Sequence, residues 1–93
     1  MAGFTTISST QLSANGDVFA GSARVKSIWI AHSATAGTVV LRDGGSTGTV
    51  RCTLNTAAVL GEYQSDIPEP GIKCSNPHIT IGGGVSFVTV FYD

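Results

Sequence analysis

Apolar and polar positions along this 93-residue chain alternate with a period of two, interrupted about every 8–12 residues by clusters of Gly, Ser, Asn and Pro. That pattern predicts short, half-buried strands joined by turns. No useful stretch keeps the period of about 3.6 residues that an amphipathic helix needs. The predicted strands cover residues 4–9, 17–20, 24–33, 38–42, 49–56, 59–67, 72–75, 78–81 and 85–92. Asp43-Gly44-Gly45-Ser46-Thr47-Gly48 lies between two β-rich runs and predicts a hairpin. Pro68-Glu69-Pro70-Gly71 breaks the chain, because proline gives a ladder no donor and keeps its predecessor out of the helical region. Gly82-Gly83-Gly84 reads as a flexible turn.

The expected fold is all-β: one small β-sandwich or jelly-roll-like domain of seven to nine short antiparallel strands. Residues 1–13 are expected to be an N-terminal arm, flexible or docking, and 14–93 the sandwich.

Strict alternation divides the two strongest strands into faces. Val25, Ser27, Trp29 and Ala31 share one face of residues 24–33, and Lys26, Ile28, Ile30 and His32 share the other. In the last strand Val85, Phe87, Thr89 and Phe91 oppose Ser86, Val88, Val90 and Tyr92. Trp29, Phe87 and Phe91 are then expected in the core. Ile28, Ile30, Val88, Val90 and Tyr92 would form a second apolar face that a sandwich of this size cannot cover itself. With no helix available, the cover would be another protein chain, so those five residues are the expected oligomer interface.

Composition sharpens this picture. Charged residues make up 12% of the chain, against about 25% in typical domains. Gly, Ser and Thr account for 33 of the 93 residues. A formal net charge of −1, from five basic and six acidic residues, argues against nucleic acid as a partner. No apolar run approaches the 18 residues of a membrane span. The first residues show neither a basic nor an apolar signal region, so synthesis in a cytoplasm is expected.

Candidate chemistry is sparse. Cys52 and Cys74 read as two reduced core thiols. A bridge between them, closing a loop of about 20 residues and worth about 3 kcal/mol, stays open as the alternative. His32 and His78 have no third metal ligand in pattern, and Asp43-Gly44-Gly45 lacks the acidic spacing of a calcium loop. The glycines at 82–84 lack the Lys-Ser/Thr and the helix of a phosphate loop. No GxSxG occurs, and Glu62, Asp66 and Glu69 read as a solvated loop rather than paired catalytic carboxylates. The expectation is no enzyme, no metal and no cofactor. Tyr63 and Tyr92 are the candidate exposed platforms should the chain be a carbohydrate-binding module.

Four segments in order carry a resemblance: RVKSIWI at 24–30, GTVVLRDGG at 37–45, IPEPGIKC at 67–74 and VSFVTVFY at 85–92. Together they resemble small virion structural proteins of marine and cyanobacterial tailed phages. The resemblance implies a non-enzymatic subunit, a head decoration or cement protein placed as a homotrimer on the capsid exterior, with the major capsid protein as partner. A tail or neck component of the same particle is the alternative. Docking on the capsid is expected to use the N-terminal arm, through Phe4, Thr5, Ile7 and Leu12.

Overall fold

A computed structural model describes residues 7–93. The described residues are all-β, and their seven strands belong to one antiparallel sheet. They are β1 (Ser8–Leu12), β2 (Gly16–Asp17), β3 (Ser22–Asp43), β4 (Thr49–Thr56), β5 (Gly61–Asp66), β6 (Ile72–Ser75) and β7 (His78–Tyr92). Two of the runs expected to be separate on each of two occasions are joined. Residues 24–33 and 38–42 are parts of β3, and 78–81 and 85–92 are parts of β7.

Length forces β3 to bend. Its 22 residues would reach about 73 Å if straight, at about 3.3 Å each, whereas the longest dimension of the molecule is 44 Å. The two ends of β3 meet the same short connection. Asn76 N donates to Gly21 O (2.8 Å), while Gly44 N donates to Ser75 O (2.7 Å) and Gly45 N to Asn76 O (3.0 Å). The sheet is therefore folded over on itself as a β-sandwich. One layer holds β1, the second half of β7, the first half of β3, β5 and β6. The other holds β2, the first half of β7, the second half of β3 and β4.

The fold line crosses residues 33–36 of β3, which span what β7 covers with Gly84 alone, since His32 pairs with Val85 and Gly37 with Gly83. Glycine is required here. A Cβ on Gly84 would strike Thr35 O and Ser33 Oγ, and one on Gly83 (φ +69°) would strike Ala36 O. The Gly82-Gly83-Gly84 run is thus the inner track of a bend inside a strand, rather than a turn between strands. On the other edge of β3, the 57–60 loop crosses the same fold line between β4 and β5.

Between the layers lie Val25, Ile28 and Ile30, then Val39 and Leu41, with Ile79, Val88, Val90, Val18 and Cys74, all in one buried cluster. Ser8–Leu12 pairs with β7, and Thr10 Oγ1 donates to Val18 O (2.9 Å). Residues 8–12 are therefore part of the sheet and not of an arm. Among the described residues, no helix is long and apolar enough to cross a membrane.

Candidate functional site

The site begins with one extra residue. Val25 pairs with Tyr92 and Ser27 with Phe91, so Lys26 is a bulge that reverses the facing of everything after it on β3. Val25 and Ile28 both enter the core, and Trp29 turns outward with 44% of its surface exposed. Regular pairing from there opposes Phe87 to Ala31, on the same outer face as Trp29, with Phe87 48% exposed, before a second irregularity follows between Ala31 and His32.

The outer face is arranged around these rings. Trp29 lies between Thr89 of β7 and Gln64 of β5, Ala31 between Phe87 and Glu62, and Ser27 between Phe91 and Asp66. Trp29 packs edge-on against Phe91 with centroids 5.1 Å apart. Its Nε1 donates to Ser27 Oγ (2.8 Å), and Ser27 Oγ donates to Asp66 Oδ1 (3.0 Å). The indole is thus held in one orientation by a polar relay at one end and an aromatic neighbour at the other. On the β1 side, Gln11 Nε2 donates to Thr89 Oγ1 (3.4 Å). Together these residues line a shallow open groove of about 320 Å³, while Tyr63, paired with inward-facing Ile30, alternates to the other face of β5. Among the described residues, Glu62 is the one charged side chain lining the groove.

A second hollow of about 290 Å³ lies at the free end of β6 and is lined by Ser22, Ala23, Arg24, Lys73 and Asp93. Arg24 Nε stands 3.3 Å from Asp93 Oδ1, which offsets much of the positive charge there. The bent end carries the most exposed large apolar residues among those described. Val59 is 65% and Leu60 77% exposed, beside exposed Ala34, Ala36, Ala57 and Ala58.

The expected oligomer interface is corrected by this geometry. Ile28, Ile30, Val88 and Val90 are at most 1% exposed and pack against one another inside the subunit. On β3 the Lys26 bulge moves the even-numbered residues inward, and on β7 Val88 and Val90 follow because they pair with Ile30 and Ile28. Tyr92 is half-buried and stacks obliquely on Phe19 (5.5 Å). Trp29 and Phe87, expected in the core, are instead on the surface. Of the expected docking residues, Leu12 packs against the core and Ile7 is exposed, while Phe4 and Thr5 lie outside the described residues. The missed site did leave a trace: two adjacent polar residues, Lys26 and Ser27, between apolar Val25 and Ile28 are what a bulge looks like in sequence.

Both cysteines are free thiols. Burial pushes the Cys52 thiol above its usual range. Burial does the same for Cys74, with the Asp43 carboxylate adding to the rise and Arg51 opposing it. His32 and His78 are far apart along the fold. His32 sits at the fold line, with Nδ1 3.2 Å from Ser33 O, and His78 binds Asp17 Oδ1 (2.8 Å) at the start of β7. Among the described residues, no three His, Cys, Asp or Glu side chains are gathered to hold a metal ion. Glu62 and Asp66 stand on the groove face of β5, and Glu69 pairs with Lys26 (2.6 Å).

No family model, curated protein or solved structure matches the chain.

Proposed function

We propose that the chain is a non-enzymatic structural subunit of a tailed-phage virion. It is a head decoration or cement protein that docks on the major capsid protein, as a homotrimer on the capsid exterior, through its bent end. The observation that carries this reading is the exposure of Val59 and Leu60, consecutive apolar residues on a loop whose subunit already has a complete core. Contiguous exposed apolar surface marks a contact with another protein more often than chance. Burying each of these side chains is worth roughly 1.5–3 kcal/mol. One copy would bind modestly, but many copies on a lattice sum such contacts into a stiff shell. The order of the four sequence segments supports the same assignment, and so does the low charge, which leaves a free monomer a poor surface for solubility.

The test is the composition of the particle. Virions of the phage that encodes the chain should be purified by density gradient and its peptides quantified against the major capsid protein. A fixed ratio near one copy or one trimer per capsomer is expected. Absence of the chain from gradient-pure particles overturns the assignment.

A further inference from the structure

Docking through the bent end leaves the groove over Trp29 unused, and the groove is built for a ligand of its own. We propose that it is a binding site for a neutral saccharide of one or two rings.

Three observations converge on that class. The floor is aromatic and fixed: Trp29 cannot swing freely, because Ser27 holds its Nε1 and the Phe91 ring packs against it at 62°. The apolar C–H face of a pyranose suits the electron-rich face of such a ring. The walls are amides, a hydroxyl and one carboxylate, from Gln11, Gln64, Thr89 and Glu62, which can donate to and accept from sugar hydroxyls. Among the described residues no cation lines the groove, which leaves a phosphate, a sulfate or an acidic sugar without a counter-charge. At about 320 Å³ it stands at the small end of ligand sites, which run from about 300 to 1,000 Å³. A protein surface would need a wider apolar area than this polar-walled strip provides.

The proposal does not depend on the virion reading, since it concerns the purified chain alone. Trp29 is the one tryptophan in the sequence, so its fluorescence reports the groove directly. The experiment titrates the purified protein with neutral oligomers of glucose, mannose and N-acetylglucosamine, and with a sialylated oligosaccharide as the anionic counterpart. A saturable change in emission is expected with at least one neutral oligomer. Binding should weaken about tenfold in Phe87→Ala and in Gln64→Ala, both of which alter exposed side chains and should melt at the wild-type temperature. Replacing Trp29 itself removes the reporter and is avoided. A flat signal with all three neutral oligomers up to about 50 mM overturns the proposal. So does equal or tighter binding of the sialylated sugar. Concentration-dependent self-association that shields Trp29 from acrylamide overturns it too, by assigning the groove to a second copy.

Discussion

Val25 and Ile28 stand three positions apart on one strand, and both point into the core. In a regular strand they would face opposite ways. Lys26 absorbs the difference as a bulge, with its carbonyl accepting Ile67 N (3.0 Å) and its ammonium clasping Glu69 (2.6 Å). The consequence is functional as well as structural, because this single residue puts Trp29 on the surface.

The bulge therefore matters for its backbone rather than its charge. Lys26→Ala removes an ion pair whose Glu69 partner is largely exposed, and should cost less than about 1 kcal/mol. Deleting Lys26 removes the bulge and leaves Val25 and Ile28 two positions apart, on one face of a regular strand paired with Tyr92 and Val90, at the loss of the Ile67 and Glu69 contacts. Equilibrium denaturation should show near-wild-type stability for the substitution, and cooperative unfolding at a lower midpoint for the deletion, which also loses the backbone bond to Ile67.

Ile30 is a core residue, so its substitution acts on folding before it acts on assembly. Ile30→Ala should cost about 2–5 kcal/mol, out of a total of about 5–15 for a domain of this kind. Ile30→Asp buries a carboxylate and should leave the chain unfolded by circular dichroism. A folded Ile30→Asp monomer would restore the interface role that strict alternation assigns to this residue.

The fold line distinguishes two glycines sharply. Gly84→Ala drives a Cβ into the Thr35 carbonyl and should cost about 1–3 kcal/mol or more, since the obstacle is backbone. Gly61→Ala meets nothing within 4 Å and should be neutral or slightly stabilising, by up to about 1 kcal/mol, through the unfolded chain. Thermal melts of the two variants check the contrast.

Stability should also fall in alkali. The folded state holds both thiols protonated beyond the ordinary value of 9.0, so the unfolded chain loses these protons first. Their contribution is complete below about pH 9 and is lost as pH rises through that value toward the raised folded ones. Denaturation midpoints should drop more between about pH 8 and pH 10.5 in the wild type than in a Cys52→Ala/Cys74→Ala double variant. That difference isolates the contribution of the thiols.

The strand content and the hairpin at Asp43–Gly48 were legible from alternation and turn residues, because those signals are local. The face assignment was not. Period-two counting assumes an unbroken strand, and one inserted residue at Lys26 inverts Trp29 and Ile30 together. The joining of two runs into β3 and two into β7 was equally hidden. Gly82-Gly83-Gly84 carries turn chemistry, and only the pairing with residues 33–36 shows that the chain bends there without leaving the sheet. For the same reason the exposed pair Val59 and Leu60 reads in sequence as the start of a strand.

Docking through that pair is most directly tested by adding purified chain to particles from a phage deleted for its gene, and measuring co-sedimentation. Wild-type protein should bind saturably. A Val59→Asp/Leu60→Asp variant, folded and melting like the wild type, should remain in the supernatant, whereas Phe87→Ala should bind as the wild type does. Wild-type protein that fails to sediment with the particles, or a loop variant that sediments as fully as the wild type, would contradict the assignment of the bent end as the docking surface.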